Sequence, residues 1–223
     1  MTEVKDSIYG NLYSPTTVSN QRFVDWFNGK EFDSFMWSTH DTGTGSADFD
    51  MTSDGLKMTS TDNGSAFLDW SPTDATKVRP FSQTGCVMII THKLVEAQYS
   101  TTKPEFRTNH YSESGQYVGI GIQGTTNGSG SDNKIRLVTN SGGGNIDTGL
   151  ASGVVHDWHT YKLKIVSGTS TLSVDGVLSG TGFASSSSNP NAPLAPAIYT
   201  SIAESTISGG AVSYTRYMEC FNI

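Results

Sequence analysis

The stretch HDWHTYKLKIVSGTSTLSVDG, residues 156–176, decides the fold. Side chains alternate along YKLKIV, which places Tyr161, Leu163 and Ile165 on one face of a strand and the lysines between them on the other. A small polar turn follows, and the apolar face continues along a return strand. The Asp-Gly pair at the end is a strong signal for a further tight turn. The stretch therefore predicts an antiparallel hairpin with one apolar face.

Short alternating runs separated by turns fill most of the chain. Of its 223 residues 24 are glycine and only 16% are charged, against roughly 25% in average soluble domains, and this composition favours many strands joined by turns. The most hydrophobic run, GCVMIITHKLVEAQ at 85–98, predicts a central strand. Residues 184–197, ASSSSNPNAPLAPA, predict a Ser/Pro-rich loop. The sequence predicts an all-β chain.

The first residues predict an arm followed by an aromatic entry into the domain. Residues 1–22 are polar and predict an arm or edge segment, and residues 23–223 predict a single β-sandwich domain. The six aromatic side chains of segment 23–37 predict a plug at one end of the sandwich. The pair Asn28-Gly29 interrupts any helix there.

Several stretches together carry a family resemblance. The segment DWHTYKLKIVSGTSTLSVDGVL at 157–178 resembles the late hairpin of concanavalin A-like lectin/glucanase jelly rolls, which include LamG-like domains. SDGLKMTS at 53–60, FSQTGCVMIITHKLVEAQ at 81–98 and GQYVGIGIQG at 115–124 resemble other strands of that fold. The resemblance covers residues 45–222 and implies a two-sheet antiparallel jelly-roll sandwich. This fold carries lectins, hydrolases, lyases and structural modules, so the resemblance leaves the function open.

The catalytic motif of the glucanase branch has no full match. That branch carries a Glu-x-Asp-x-x-Glu strand, because retaining hydrolysis needs two carboxyl groups about 5–5.5 Å apart. The nearest match is Glu31-Phe32-Asp33, and Met36 stands where the third acid is required. The segment also lies in the aromatic entry instead of on a central strand. The sequence therefore assigns no catalytic residue.

Metal and thiol chemistry are weakly indicated. Asp48, Asp50 and Asp54 in DFDMTSD loosely echo the calcium ligands of legume-type lectins. Acidic turns are usually only solvated, so the sequence predicts no cofactor and leaves calcium as the open alternative. Cys86 and Cys220 lie in apolar strand-like runs, which favours buried free thiols while leaving a bridge between them open.

The candidate binding surface is the polar face of the hairpin 105–123. In EFRTNHY and YVGIGIQ, polar and glycine positions share one face, and Phe106 and Val118 fall on the other. We expect Tyr111 to pair with Tyr117, and we expect the strand glycines to leave room for a ligand. The alternative is an ordinary solvated sheet face. The candidate ligand-binding residues are Glu105, Arg107, Asn109, Tyr111, Tyr117, Gln123 and Arg136.

The positions of the histidines in the sequence favour packing roles over roles as general bases or zinc ligands. By alternation His110 faces inward, and His92 lies inside the central hydrophobic run, which favours satisfied core histidines over general bases. His156 and His159 flank Trp158 at a strand entry, and their spacing on a loop does not suit zinc. We expect Trp158 to anchor the core.

Charge and hydropathy exclude some partners. The net charge is −7 and no Lys/Arg run occurs, so nucleic acid and anionic membranes are not expected partners. No apolar run reaches the 18–20 residues or so that a membrane span needs. No secretory leader is visible, which leaves the compartment open, with a virion or an extracellular setting after assembly among the options.

Three functions compete. The favoured hypothesis is a non-catalytic glycan-binding or attachment module, lectin-like and part of a virion or another surface assembly, with an oligosaccharide or polysaccharide as partner. The second is a polysaccharide lyase or glycoside hydrolase of divergent jelly-roll type. In the lyase, Arg107, Gln123, Tyr111 or Tyr117 and Arg136 would hold and deprotonate a uronate. The third is a purely structural domain that assembles into a homo-oligomer or particle.

Overall fold

The computed structural model describes residues 22–29, 33–34, 36–61, 64–70, 80–95, 100–108, 116–123, 134–139, 146–147, 156–167, 169–181, 193–202 and 210–223. The named elements within these residues are all strands, as the composition predicts. They are β1 (Arg22–Asp25), β2 (Trp37–Gly43), β3 (Ala47–Thr52), β4 (Gly55–Ser60), β5 (Gly64–Trp70), β6 (Gly85–Leu94), β7 (Ser100–Arg107), β8 (Tyr117–Gln123), β9 (Lys134–Thr139), β10 (Ile146–Asp147), β11 (His159–Val166), β12 (Thr169–Val174), β13 (Val177–Thr181), β14 (Ala195–Ile202) and β15 (Ala211–Asn222).

The strands form two antiparallel sheets that enclose one core. One sheet has the order β13-β12-β11-β6-β15-β4-β3, with β1 also paired to β15, and the other has the order β10-β9-β8-β7-β14-β5-β2. The inward side chains of both sheets form a single hydrophobic cluster. Such burial is the main favourable contribution to folding. The predicted two-sheet jelly-roll sandwich is confirmed.

The hairpin that opens the sequence analysis forms as predicted. In β11 the alternation of buried and exposed residues is strict, and Tyr161 and Leu163 pair with Val174 and Leu172 of β12. Asp175 and Gly176 have φ angles of 50° and 81°. These are the positive values that a tight hairpin turn requires and that Asp and Gly tolerate. The predicted central strand is also confirmed, because β6 lies between β11 and β15.

One strand contradicts the sequence-based prediction of a loop. The predicted Ser/Pro-rich loop 184–197 ends in Ala195–Ala197, and these residues already belong to β14. This strand lies between β7 and β5 near the middle of its sheet. Proline usually marks edge strands or strand beginnings, and Pro196 is the second residue of β14. Residues 184–192 of that stretch lie outside the described residues.

The aromatic entry contributes Phe23, Phe27 and Trp37 to the core, whereas Trp26 is exposed. The ring of Phe23 packs edge-on against Trp37 and Trp70, with ring centroids 5.5 and 5.7 Å apart. Asp25 accepts hydrogen bonds of 2.8 Å from the indole N–H of Trp37 and from the backbone N–H of Phe27. Residues 1–21 lie outside the described residues, so the arm remains a prediction.

A buried polar network links the two sheets. His92 of β6 bonds through Nδ1 to Thr215 Oγ1 at 2.8 Å and through Nε2 to Thr102 Oγ1 at 3.0 Å. Thr102 bonds to Thr200, and Thr200 bonds to Ser213. Because His92 is fully buried, its pKa is lowered to about 3. The prediction of a satisfied core histidine is confirmed for His92, whereas His110 lies outside the described residues.

Trp158 corrects a second prediction. It is only half-buried, and it lies on the outer surface instead of in the core. The guanidinium carbon of Arg216 lies 3.9 Å from its ring centroid and Lys93 Nζ lies 4.7 Å away. A ring that two cations cover in this way is held by cation–π contacts and by packing against aliphatic stems.

The thiols and the other histidines behave as structural groups. Cys86 and Cys220 are buried and unbridged, and burial raises the pKa of both thiols. His156 bonds to the carbonyl oxygen of Leu94 at 3.1 Å, and His159 bonds to Asp175 at 2.6 Å. Within the described residues no helix is long and apolar enough to cross a membrane.

Candidate functional site

A polar and aromatic cluster occupies the outer face of the seven-stranded sheet. Because side chains alternate along each strand, Phe106 and Val118 enter the core while their neighbours in sequence face outward. A cavity of about 180 Å³ opens on this face between β5, β7, β8 and β14. We call its lining residues the outer-face cluster: Phe67, Lys103, Glu105, Arg107, Tyr117 and Tyr199.

Glu105 is the most unusual group of this cluster. Only 2% of the residue is exposed, although it lines the cavity. Burial raises its pKa to about 7, against the opposing effect of the positive charges on Arg107 and Lys103. At mildly acidic pH the side chain is therefore a neutral carboxylic acid that can donate a proton into the cavity.

Arg107 is held between Glu105 and aromatic rings. Its Nη1 lies 3.2 Å from Glu105 Oε1, and its guanidinium carbon lies 4.6 Å from the ring centroid of Phe67. The ring of Tyr199 packs edge-on against Phe67 at 5.3 Å. Contacts on several sides hold the guanidinium in one position, and such a group can bind hydroxyl or carboxylate oxygens of a ligand.

A second carboxylate, Asp69, lies near Glu105, and the sequence analysis missed it. Ala197 of β14 pairs with Asp69 of β5 on one side and with Glu105 of β7 on the other. Neighbouring strands lie about 4.8 Å apart, so the two Cα atoms are separated by roughly 10 Å. The negative charge of Asp69 is the weakest of the four influences on the pKa of Glu105. His40 Nε2 lies 3.7 Å from Asp69 Oδ2.

The predicted register of the candidate hairpin was wrong. Tyr117 pairs with Arg107 instead of Tyr111, and Gly119 pairs with Glu105 instead of Asn109. The reason is a longer connection: Thr108 and Gln116 exchange hydrogen bonds and close the ladder directly after β7. Asn109 and Tyr111 therefore follow the end of β7, and both lie outside the described residues.

The predicted faces agree with the structure despite the shifted register. A shift by an even number of residues leaves every side chain on the same face. Glu105, Arg107, Tyr117, Gln123 and Arg136 accordingly lie on the outer side of the seven-stranded sheet. Glu105 and Arg107 are buried there, so the alternative of an ordinary solvated face does not hold for them. The binding role of the five residues remains a prediction.

The strand glycines make room for the protein's own side chains, which corrects the expectation that they make room for a ligand. A Cβ atom at Gly119 would lie 2.6 Å from Glu105 Cβ and 2.9 Å from the carbonyl oxygen of Pro104. At Gly121 it would lie 2.7 Å from Cγ1 of Val138. Gly119 thus permits the buried position of Glu105.

Replacing Gly119→Ala is expected to displace Glu105. Overpacking of this kind typically costs about 1–3 kcal/mol, and we expect the free energy of unfolding in urea to fall by that amount. Gly121→Ala is the comparison, because it meets only a valine methyl group that can rotate away. Equal stability of Gly119→Ala and the wild type would contradict the packing described here.

A second cavity adjoins the first. It has a volume of about 340 Å³, and it shares Lys103 and Tyr117 with the outer-face cluster. Gln123 and Arg136 line its far side, where Arg136 Nη1 donates a 3.1 Å hydrogen bond to Gln123 Oε1. The two cavities form one continuous polar surface across β9, β8, β7, β14 and β5.

The three aspartates that loosely echo calcium ligands, Asp48, Asp50 and Asp54, contact other groups of the protein. Asp54 binds Arg216 at 3.0 Å, Asp50 lies 4.0 Å from Lys57, and Asp48 accepts a hydrogen bond from the backbone of Phe49. Among the described residues no group of three or more His, Cys, Asp or Glu side chains is placed to hold a metal ion.

Part of the rejected acid motif is described by the structure. Met36, at the position of its third acid, is a buried core residue. Glu31 and Phe32 lie outside the described residues.

Comparison with known proteins identifies the fold. No protein-family model and no curated protein matches the sequence. Among solved structures, an apo Crh5 transglycosylase is similar with a TM-score of 0.66 and 12% identity, over 90% of this chain and 84% of that chain. A β-1,3-1,4-glucanase (lichenase) from a mouse hindgut metagenome is similar with a TM-score of 0.63 and 14% identity, over 91% and 99%. A structure described with endo-acting O-glycanases of the human gut microbiota has a TM-score of 0.62 and 13% identity, over 90% and 98%.

These neighbours contradict the favoured function of the sequence analysis. They are described as a transglycosylase, a glucanase and O-glycanases, whereas we expected a non-catalytic module. They give no support to a lectin, a virion component or a particle-forming structural protein. Another similar structure is a Crh5 transglycosylase in complex with NAG. At 12–14% identity the likeness shows a shared fold, so the activity has to be argued from the site. The chain has the concanavalin A-like jelly-roll fold.

Proposed function

We propose that the chain is a carbohydrate-active enzyme that cleaves or transfers glycosidic bonds, with Glu105 as the proton donor and Asp69 as its carboxylate partner. The observation that carries the proposal is the buried carboxyl group of Glu105 in the wall of a cavity, whose pKa burial raises to about 7, with a second carboxylate two strands away. Two carboxyl groups in different protonation states are the usual requirement of glycoside hydrolysis.

The chemistry follows from the two environments. Cleavage of a glycosidic bond needs an acid that protonates the leaving oxygen and a carboxylate that acts on the anomeric carbon directly or through water. Glu105 is suited to the acid role because burial keeps its proton up to about pH 7. Asp69 is suited to the carboxylate role, since it faces the same side of the sheet across the small side chain of Ala197.

The remaining residues of the cluster suit a sugar. Aromatic rings contact the apolar faces of pyranoses, and Phe67, Tyr117 and Tyr199 surround the acid. The Tyr199 hydroxyl accepts a hydrogen bond from Ser65 Oγ at 3.0 Å, which holds the ring in place. Arg107 supplies donors for sugar hydroxyl groups.

The proposal is tested by incubating the wild-type protein with a panel of β-glucans, galactans, mucin glycans and uronans. We expect new reducing ends, or transfer products when short acceptors are added, without a rise in absorbance near 235 nm. If no glycan in the panel yields reducing ends or transfer products, the proposed function is wrong.

A lyase is the second candidate, favoured by the cations Lys103, Arg107 and Arg136 near Tyr117. A lyase removes the proton next to a uronate carboxylate, and cations stabilise the charge that develops. Its product contains a carbon–carbon double bond that absorbs near 235 nm. A rise in absorbance at 235 nm with uronans would show that this site catalyses elimination instead of hydrolysis.

The pH dependence of the reaction gives a further prediction. We expect activity to fall as the pH rises through about 7, because Glu105 then loses the proton that it must donate. The measurement is kcat/KM against pH on the best glycan of the panel. An activity that keeps rising above pH 8 would contradict the acid role of Glu105.

A further inference from the structure

The cations of the second cavity indicate which glycans the enzyme takes. Lys103, Arg107 and Arg136 all lie on the outer face of the seven-stranded sheet, in a protein whose net charge is −7. Since the chain is acidic as a whole, a concentration of positive charge on one polar face is a local feature that general solubility does not require.

Two of these cations, Lys103 and Arg136, make close contacts with neutral groups in the described part of the chain, and the charge of Lys103 also acts on Glu105. Lys103 Nζ lies over the rings of Tyr199 and Tyr117 at 5.3 and 5.8 Å. Arg136 contacts the neutral amide of Gln123. The ion pairs recorded among the described residues join neither side chain to an acid. Both side chains line the second cavity, where they can contact an anionic group of a ligand.

Two acids lie close to these cations. Glu105 contacts Arg107, and burial raises the pKa of Glu105 to about 7, while Asp147 of β10 pairs in register with Arg136. The second cavity has a lining of neutral polar, small and aromatic residues between the two cations, among them Thr101, Gly121 and Tyr117. An anion placed there would be attracted by two positive charges in partly desolvated surroundings.

We propose that the second cavity, between Lys103 and Arg136, is a subsite for a negatively charged sugar unit, and that the substrate is an anionic glycan. This inference rests on the proposed function for its catalytic meaning. Its chemistry is that of a carboxylate or sulfate held by one ammonium and one guanidinium group beside a tyrosine ring. A uronate and a sulfated sugar share this chemistry, and the experiment separates them.

The experiment measures binding instead of turnover, using the full chain with Glu105→Gln so that the ligand is not consumed. Oligogalacturonate is compared with its carboxyl-reduced neutral form, and a sulfated galactan oligosaccharide with its desulfated form. We expect at least tenfold tighter binding of one charged member by calorimetry, and weaker binding as salt is added. The charged member that binds identifies the anion.

Two variants test whether the preference for charged ligands arises from the second cavity. Lys103→Met combined with Arg136→Met is expected to remove the preference for the charged member, whereas Lys162→Met on the exposed face of β11 leaves it unchanged. Both proteins are checked for wild-type unfolding midpoints. Equal affinity for the charged and neutral members of both pairs would overturn the inference, and so would an unchanged preference in the double variant.

The two proposals fail in different ways. Release of reducing ends from neutral glycans alone, with no preference for charged ligands, would overturn the anionic subsite and retain the enzyme. Selective binding of a charged glycan without cleavage of any glycan would retain the subsite and overturn the proposed function.

Discussion

Glu105→Gln is expected to lower the rate of glycan cleavage by about 100- to 10,000-fold, the usual contribution of a general acid. Glutamine keeps the shape and the neutral charge of the protonated acid but has no acidic proton. Glu105 is almost fully buried and contacts Arg107, and the amide oxygen can still accept from that guanidinium. The loss should therefore appear in kcat with little change in KM. The measurement is steady-state release of reducing ends.

Stability measurements on the same variant separate catalysis from folding. The native pKa of about 7 lies above the ordinary value of 4.5, so the native protein holds this proton more tightly than the unfolded chain does. The wild type consequently loses stability as the pH rises from 4.5 through 7, by a total on the order of 3 kcal/mol. Glu105→Gln lacks this loss. Urea unfolding at pH 4.5 and pH 8 measures the difference between the two proteins.

The matched control is Glu219→Gln on the opposite sheet. Glu219 is also nearly buried, and it pairs with Arg22 and Tyr217 far from the cavity. Its replacement removes an acid from the protein without touching the outer-face cluster, so cleavage should stay near the wild-type rate. Similar losses of kcat in both variants would show that Glu105 is not the proton donor.

His92→Leu is expected to destabilise the protein by about 2–4 kcal/mol at pH 7. Leucine fills much of the same volume but removes both ring nitrogens, which leaves buried hydroxyl groups of Thr215 and Thr102 with fewer partners. Each buried polar group that loses its partner costs about 1–3 kcal/mol. Because the network joins the two sheets, the loss should appear in global unfolding by heat or urea.

The pH dependence distinguishes the histidine from ordinary core packing. The pKa of His92 in the native protein is about 3, below its usual 6.5. The unfolded chain therefore binds a proton between pH 6.5 and 3 that the native protein rejects. The wild type should lose up to about 1.4 kcal/mol per pH unit as the pH falls through this window. His92→Leu should lack that contribution, so the two stability curves converge in acid.

Thr160→Val provides the control for a lost hydroxyl. The Thr160 hydroxyl bonds to Thr91 at 3.1 Å in an exposed pair, and surface changes of this kind are usually within about 0.5 kcal/mol. If His92→Leu were as stable as Thr160→Val at pH 7, the network would not contribute to holding the sheets together. Parallel stability curves in acid would contradict the low pKa of His92.

Local sequence patterns were sufficient to predict the strands and which side chains of a strand face the core. Alternation assigned Tyr161, Leu163 and Ile165 to the core and Glu105 and Arg107 to the opposite side of another strand, and the structure agrees. Alternation works because it depends only on the backbone pleat. Alternation does not show where a hairpin closes or whether a proline-containing segment joins a sheet. The predictions of the hairpin register and of a loop at Ala195–Ala197 were therefore wrong.

The sequence by itself determined that this is an all-β sandwich with polar residues on the outer side of the hairpin 105–123, because pleat and turn chemistry are local properties. Only the tertiary structure decided that Asp69 and Glu105 flank Ala197, since β5, β14 and β7 are far apart in the chain. It also decided that Glu105 is buried and that its pKa is raised, because desolvation depends on all the strands packed around a group. The chemistry proposed for the site therefore arises from the pairing of distant strands.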